Sequence, residues 1–296
     1  MGTIGITSDL VQRLIARQFP QWSRLEVRPV DESGHDNRTF RLGPELAVRL
    51  PSHERYASAV EKEQKWLPVF QPHLTLPITV PVAKGEPDEE YPLPWSVNRW
   101  LAGEPVSRAA IRDKIEFAED LAAFLLELEA IDATDGVPAG EQNFHRGGDL
   151  AVYEDDARSV LAKPGAPFDA ALLTEVWERA LAAPFSGQPV WLHGDVAVGN
   201  LLASGGRLSG VIDFGTMGVG DRSSDLVMAW NFFDDPSRAV FLERMAADEG
   251  VIDRARGWAL WKALITYEWH EKGSELSEWG RRVIDEIAAE YRGRRS

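Results

Sequence analysis

The segment WLHGDVAVGNLLASGGRLSGVIDFG, residues 191–215, constrains the fold of this chain more than any other. It places a histidine, two aspartates and an asparagine in an otherwise apolar stretch punctuated by glycines. VWLH, NLLA and LSGVIDF are typical of strands, and SGG at 204–206 is typical of a hairpin turn. The hairpin places Asp195 in the loop before it, Asn200 at its first strand and Asp213 at the end of its second. We therefore expect Asn200 and Asp213 to lie close together.

These residue types are the ones that phosphoryl transfer needs. The reaction uses a carboxylate that orients the attacking hydroxyl and oxygen ligands for the Mg²⁺ ions that bridge the phosphates. In protein kinases an Asn follows the catalytic Asp by five positions, and a DFG triplet comes later. Asp195 and Asn200 have that spacing, and Asp213 begins the triplet DFG. An isolated HGD triplet could be an ordinary turn, but three such side chains at this spacing favour a functional site.

Composition excludes several classes of protein. With 296 residues and 44% hydrophobic content, the chain can bury a sizeable core. Its net charge of −15 opposes binding of nucleic acid or anionic membranes and favours cationic partners. Cysteine is absent and the histidines form no pair at ligand spacing, so a zinc site is not expected. Neither a signal peptide nor a membrane-spanning run is apparent, and we expect a cytoplasmic protein.

Two parts of different character follow each other along the chain. Apolar spacing in the first part predicts a helix, three strands, a helix and two strands at 8–19, 25–31, 37–42, 45–50, 54–70, 78–84 and 94–101. The helix at 54–70 is expected to stop near Pro68 and Pro72. From Ala109 onward the patterns are mainly helical, at 111–131, 225–233, 255–272 and 277–291. The order predicts an α+β fold with a sheet lobe (1–101) and a larger helical lobe (102–296), which meet at the short segment AGEP.

The motifs resemble those of the aminoglycoside phosphotransferase family, the antibiotic-kinase relatives of protein kinases. HGDVAVGN followed by VIDFG carries the resemblance, with HGD in place of the HRD of protein kinases. Further fitting segments are FRLG (40–43), AVRLP (47–51), EKEQKWLP (61–68), WLAGEP (100–105) and GVGDRSSDL (218–226). The resemblance covers essentially the whole chain and implies a two-lobed protein-kinase-like fold.

The resemblance implies a role for each matching residue of the hairpin. Asp195 would be the catalytic base, and Asn200 and Asp213 would be the magnesium ligands. His193 would be a structural member of the catalytic loop. Asp225 resembles the aspartate that anchors this loop from the start of a large helix.

A nucleotide site is implied as well. Arg49 stands where such kinases carry a phosphate-binding lysine, and Glu63 in the next helix is its expected partner. Arginine departs from the usual lysine, but it can hold phosphate with two nitrogen atoms. The loop SGHDN (33–37) is expected to cover the nucleotide, although it has one glycine where protein kinases have three. The hinge segment that would meet the adenine edge through its backbone comprises Asn98, Arg99, Trp100 and Leu101.

Several other residues admit two interpretations. Asp221 is interpreted as a helix cap, and the tryptophans at 258, 261 and 269 as core residues. Arg146, in NFHRGGDL (143–150), either holds an anion or is structural in its loop. The candidate contacts for a cationic acceptor are carboxylates that could equally be solvated: Asp234, Asp235, Glu268 and Glu271.

Together these features predict a kinase that transfers the γ-phosphoryl group of ATP or GTP, with Mg²⁺, to a hydroxyl of a small molecule. The expected acceptor is an aminoglycoside or a related antibiotic. A macrolide, a sugar, choline or a homoserine-like alcohol are alternatives. A non-catalytic nucleotide-binding module and a nucleotide hydrolase are the rival classes. The oligomeric state stays open.

Overall fold

A five-stranded antiparallel sheet dominates the N-terminal part of the computed structural model, which describes residues 5–30 and 36–295. The elements of this part are α1 (Ser8–Gln18), β1 (Val27–Pro29), β2 (Asn37–Leu42), β3 (Leu46–Pro51), α2 (Ala57–Phe70), β4 (Pro81–Gly85) and β5 (Trp95–Arg99). The strand order is β1-β2-β3-β5-β4, so β3 is central. The predicted order of helices and strands is confirmed.

The central strand β3 is buried along its whole length. Its sequence LAVRLP is apolar except for Arg49, because one face packs on α1 and the neighbouring strands' side chains. Arg49 pairs with Thr39 of β2 and with Ser96 of β5. The sheet thus fixes the backbone of Arg49 from both sides.

Helix α2 passes Pro68 and ends at Phe70, before Pro72. Pro68 lies in the last turn of the helix, so only one backbone hydrogen bond is lost before the helix ends. The N–H of Gln71 donates to the carbonyl oxygen of Leu67 and closes the helix. The helix therefore ends between the two prolines, where the sequence predicted its stop.

The C-terminal part is mainly helical and contains short strand pairs. Its elements are β6 (Glu104–Pro105), α3 (Lys114–Glu129), α4 (Glu154–Leu161), α5 (Ala170–Ala182), β7 (Val190–Leu192), β8 (Leu201–Ser204), β9 (Arg207–Val211), β10 (Gly218–Gly220), α6 (Met228–Asn231), α7 (Asp235–Arg244), α8 (Glu249–Trp269) and α9 (Glu275–Arg295). β8 pairs with β9 as the predicted hairpin, and β7 pairs with β10. β6 pairs with β8, so the AGEP segment joins this hairpin. The lobe boundary after residue 101 stays a prediction.

The segment predicted as one helix at 225–233 is divided. A 3₁₀ turn at Arg222–Asp225 precedes α6, which spans only four residues. Asp221 caps the 3₁₀ turn by accepting the N–H of Ser223, as expected, and Asp234 caps α7. Asp225 is the last residue of the 3₁₀ turn that Asp221 caps, and it does not lie at the start of a large helix.

Two hydrophobic clusters form the core. The smaller one joins α1 to the sheet, and the larger one fills the helical part. Trp66 and Phe70 of α2 belong to the larger cluster, with ring centroids 4.6 and 4.8 Å from that of Trp191. α2 is therefore packed on the C-terminal part as well as on the sheet.

The tryptophans of α8 differ in environment. Trp258 and Trp261 are buried in the larger cluster, as predicted. Trp269 is 70% exposed, so the prediction of a core role is wrong for this residue. It is the last residue of α8, where the helix leaves the core. Over residues 5–30 and 36–295, no helix combines the length and the apolar character that crossing a membrane requires.

Candidate active site

The loop between β7 and β8 presents Asp195. His193, two residues earlier, is buried, and its Nδ1 accepts the N–H of Asp195 at 3.2 Å. The Nε2 atom of His193 lies 3.0 Å from the carbonyl oxygen of Ile212. These two contacts together require the ring proton on Nε2. His193 therefore links the loop of Asp195 to the residue after β9.

Asp225 anchors the same loop through two hydrogen bonds. Its two carboxylate oxygens accept the N–H groups of His193 and Gly194 at 2.6 and 2.7 Å. Gly194 has a φ of +83°, and a Cβ at this position would lie 2.4 Å from the carbonyl oxygen of Thr216. Only glycine fits this turn without displacement of the backbone.

Asn200 is brought to Asp195 and to the strand that leads to Asp213. Its Nδ2 donates to the carbonyl oxygen of Asp195 at 2.9 Å and to the Oδ2 of Asp195 at 3.1 Å. The backbone carbonyl oxygen of Asn200 accepts the N–H of Ile212 at 2.9 Å. The hairpin thus joins the three predicted residues at one place.

Arg49 connects two carboxylates from different parts of the chain. Its Nη1 lies 3.0 Å from the Oε1 of Glu63, and its Nη2 lies 2.6 Å from the Oδ1 of Asp213. Burial would lower the pKa of Arg49, but the Asp213 and Glu63 carboxylates raise it above its usual range. The guanidinium therefore stays charged and joins the sheet to the DFG segment.

Two oxygen atoms at this place fit a hard cation. Among the described residues, neither Oδ1 of Asn200 nor Oδ2 of Asp213 has a hydrogen-bond partner. The same residues contain no cluster of three or more His, Cys, Asp or Glu side chains suited to a metal. Mg²⁺ commonly takes only one or two protein ligands and completes its shell with phosphate and water oxygens. Asn200 and Asp213 therefore fit Mg²⁺ held together with a phosphate.

Asp195 has two cationic neighbours that the sequence did not single out as its partners. Nζ of Lys262 lies 3.9 Å from its Oδ1. Burial would raise the pKa of Asp195, but the charges of Lys262 and Arg146 together with the Asn200 hydrogen bond lower it. The carboxylate is thus kept ionised. A signal for Lys262 was present, since it is the one charged residue in WALWKALIT, residues 258–266.

A cleft lies over these residues, between the sheet part and the helical part. Sequence reasoning missed the contributions of Arg55 and Tyr56, in the 3₁₀ turn before α2, and of Phe144. Residues 33–35 of the expected cover loop lie outside the described residues, while 36 and 37 line the cleft. The lining residues are Asp36, Asn37, Arg55, Tyr56, Ser58, Ala59, Gln142, Phe144, Asp195, Asp213, Gly215 and Thr216.

Comparison with known proteins assigns this arrangement to a family. The family model described as the phosphotransferase enzyme family matches residues 26–264. The chain belongs to this phosphotransferase family. An aminoglycoside 3'-phosphotransferase of Escherichia coli is 36% identical to this phosphotransferase over 83 residues, and one of Niallia circulans is 37% identical over 78 residues. These matches cover 28% and 25% of this chain and 30% of each relative, so the aligned segment spans under a third of either relative.

Solved structures share the fold of this phosphotransferase over nearly its whole length. The GDP complex of wild-type aminoglycoside 2'-phosphotransferase-IIIa is 18% identical, with a TM-score of 0.73 over 96% of this chain and 99% of that one. The apoenzyme of a macrolide 2'-phosphotransferase from Brachybacterium faecium is 20% identical, with a TM-score of 0.62 over 95% and 97%. The predicted two-lobed kinase-like α+β fold is confirmed.

The predicted hinge segment of the phosphotransferase begins with the last two residues of β5. Asn98 is buried in β5, and within the described part of the chain its Nδ2 has no hydrogen-bond partner. The N–H groups of Arg99 and Trp100 each donate to a backbone carbonyl oxygen at 2.8 Å. Leu101 is partly buried after the strand ends. Since the sheet uses two of these N–H groups, the adenine-binding role of the segment stays a prediction.

Most of the carboxylates considered as contacts for a cationic acceptor pair with groups of the chain itself. Asp234 caps α7 and lies 3.6 Å from Lys114. Asp235 pairs with Arg238 at 2.9 Å. Glu268 lies between two lysines, at 2.5 and 3.6 Å, and Glu271 is exposed beyond α8. Three of the four are therefore neutralised by cations of the chain.

Proposed function

We propose that this phosphotransferase transfers the γ-phosphoryl group of a nucleoside triphosphate to a hydroxyl of a small molecule. The observation that carries the proposal is the convergence of Asp195, Asn200, Asp213 and Arg49 beneath one cleft. A base, two metal-type oxygen ligands and a phosphate-type cation are the parts that this reaction uses.

Asp195 is the group that handles the acceptor proton in this proposal. Its ionised carboxylate accepts the proton of the hydroxyl as the hydroxyl oxygen bonds to the γ-phosphorus, and the nucleoside diphosphate leaves. The hydrogen bond from Asn200 and the backbone contact with His193 orient that carboxylate.

The phosphates of the donor are held opposite Asp195. Arg49, positioned by Glu63 and Asp213, contacts the phosphate oxygens and stabilises their charge. Asn200 and Asp213 would hold Mg²⁺, which, when bound, neutralises charge that develops on the phosphates. The donor is ATP or GTP, in keeping with solved relatives whose names include GDP, ADP and ATP.

The acceptor suggested by the names of the relatives is an aminoglycoside or a related antibiotic. Solved relatives include complexes with kanamycin and gentamicin. The second candidate is a kinase of another small alcohol, which the two cations beside Asp195 favour over a polycationic acceptor. The proposal includes the cytoplasmic location that the lack of cysteine suggested.

A magnesium-dependent assay of ADP release tests the proposal. Antibiotics and small alcohols are offered to the wild type and to Asp195→Asn, with Asp120→Asn, a partly exposed aspartate, as a matched control. We expect one acceptor to raise turnover, and Asp195→Asn to lose it by about 10³-fold while the control keeps it. Equal turnover by Asp195→Asn would refute the catalytic assignment. Phosphate release that no alcohol changes would indicate a hydrolase, and nucleotide binding without turnover a non-catalytic module.

A further inference from the structure

The loop before α4 holds two consecutive non-glycine residues in the left-handed region. Phe144 and His145 have φ values of 52° and 54°. Such conformations cost roughly 1 kcal/mol or more each and persist where the surroundings enforce them. Buried Asn143 does so, since its Oδ1 accepts the N–H of Gly140 and its Nδ2 donates to the carbonyl oxygen of Arg146, both at 3.0 Å.

A second contact fixes the same loop from α4's side. The hydroxyl of Tyr153 donates to the carbonyl oxygen of Phe144 at 2.8 Å, and the ring of Tyr153 stacks on that of Trp261 at 3.8 Å. The loop is therefore built to place the next side chain, Arg146, against α8. Strain of this kind is common at ligand sites.

Arg146 rests on two indole rings of α8. Its Cζ lies 4.7 Å from the ring centroid of Trp261 and 5.3 Å from that of Trp258. Within residues 5–30 and 36–295 its side chain forms neither a hydrogen bond nor an ion pair. Burial lowers the pKa of Arg146, and the charges of Asp195 and Asp225 oppose this only in part. The rings offset only part of that cost.

Lys262 adds a second positive charge on the same helix. It follows Trp258 by one helical turn and places its Nζ 3.9 Å from Asp195. Arg146 lies over the ring of Trp261, the residue that precedes Lys262 in α8. Two cations thus stand around the carboxylate that receives the acceptor hydroxyl.

The acidic groups near Arg146 and Lys262 have other contacts. Asp156 lies 3.5 Å from the indole nitrogen of Trp261, which donates to it. Glu268 pairs with Lys163 and Lys272. Asp225 accepts two backbone N–H groups of the catalytic loop. Asp195 alone cannot balance both Arg146 and Lys262.

We propose that Arg146 and Lys262 form a subsite for an anionic group of the acceptor, a carboxylate or a phosphate, beside the reacting hydroxyl. The inference rests on the proposed function and narrows its acceptor to hydroxyl compounds that carry a negative charge. Such a group supplies the missing partner of Arg146, and the two cations offset its repulsion from Asp195.

Three probes with one skeleton test the subsite: 3-(hydroxymethyl)benzoate, 3-(hydroxymethyl)benzamide and 3-(aminomethyl)benzyl alcohol. Their binding to the wild type is measured by calorimetry without nucleotide, and their turnover by ADP release. We expect the carboxylate to bind about tenfold more tightly than the amide, and the ammonium compound to bind most weakly.

Substitutions assign the preference to the two cations. Arg146→Gln and Lys262→Gln are each expected to lose most of the tenfold difference between carboxylate and amide, and Arg146→Lys to retain part of it. Lys163→Gln removes a similar charge that pairs with Glu268 of the same helix, and we expect it to behave as the wild type. Thermal unfolding of each variant checks the fold, and the partly exposed side chain of Lys262 keeps the test valid if Arg146 variants do not fold.

Several outcomes would overturn the subsite. These are tightest binding of the ammonium probe, binding of none of the probes, and an unchanged preference in both Gln variants. If Arg146 instead serves the transferred phosphoryl group, Arg146→Gln lowers turnover of all acceptors equally and leaves probe binding unchanged, which also refutes the proposal. Charge-selective binding without any ADP release would contradict the proposed function and leave the subsite standing.

Discussion

Arg49 uses two nitrogen atoms for two carboxylates, Glu63 and Asp213. The ammonium group of a lysine is a single point on a flexible stem, so it cannot hold both carboxylates in this forked geometry. The sequence predicted the pair with Glu63 from the position of each residue. The bond to Asp213 was not predicted, because a contact between residues 164 positions apart depends on how the two parts pack.

Substitutions of Arg49 therefore distinguish the effect of its charge on catalysis from the effect of its forked geometry. We expect Arg49→Lys to keep nucleotide binding but to lower kcat by about 10- to 100-fold, and Arg49→Met to lower kcat/KM further, since it leaves Glu63 buried without a cation. Steady-state kinetics with varied nucleotide measure both effects. Arg207→Lys, at an exposed pair with Asp120, is the matched control. Wild-type kcat in Arg49→Lys would show that the fork is dispensable.

The shifted pKa of Glu129, the last residue of α3, makes the stability of the fold depend on pH. Burial raises its pKa to about 7, against the opposing effect of Arg222. The unfolded chain loses this proton near pH 4.5, so between about 4.5 and 7 the folded state binds more protons. The free energy of unfolding therefore falls as pH rises through this window.

The variant Glu129→Gln removes that titration. The free energy of unfolding of the variant minus that of the wild type should be about 2 kcal/mol larger at about pH 8 than at about pH 5. Urea unfolding of both proteins at the two pH values measures the difference. A difference that stays constant with pH would contradict the assignment.

At the scale of elements, the catalytic hairpin was predicted well because its signals are local. Alternating apolar residues and the SGG turn define β8 and β9, and motif spacing places Asp195, Asn200 and Asp213. The loop that presents Arg146 could not be predicted, because its left-handed residues are enforced by buried Asn143 and by Tyr153, the residue before α4. Asp234 was considered a substrate contact, although an aspartate ahead of a proline also signals a helix start.

Gly194 tests how tightly the catalytic loop is built. Gly194→Ala should lower kcat by at least about 100-fold and destabilise the fold by roughly 2 kcal/mol, because the methyl group meets Thr216 and the residue keeps a positive φ. Gly205→Ala is the control, since it also has a positive φ but open space around its Cβ. Kinetics and thermal unfolding compare the two. Equal effects would show that the φ angle, not the close approach, sets the cost.

At the scale of the whole molecule, two clusters of unequal size imply unequal local stability. The cluster of α1 and the sheet is the smaller, while α8 lies in the middle of the larger one. Segments with fewer buried apolar contacts open at lower free energy. The two-lobed order of elements was predictable from sequence, but the sharing of α2 between the parts was not, because its apolar residues do not say which partner they meet.

Hydrogen exchange should reveal this difference. Amides of β2 and β5 are expected to exchange faster than those of α8, and α2 to resemble α8 despite its place in the chain. Addition of nucleotide should slow exchange in β3 and β5 more than in α9. Mass spectrometry of peptides from each element measures the rates. Exchange of α2 at the rate of β2 would show that α2 moves with the sheet.

Protein kinases are switched off by swinging away the helix that carries the glutamate partner of their phosphate-binding residue. Here that helix is α2, and Trp66 and Phe70 pack against Trp191 below the catalytic loop. Lys62 adds a hydrogen bond from the same helix to the carbonyl oxygen of Met217, at 3.0 Å. Glu63 cannot leave Arg49 by such a swing unless these contacts break. The packing of α2 on the C-terminal part therefore holds the pair of Glu63 and Arg49 in place.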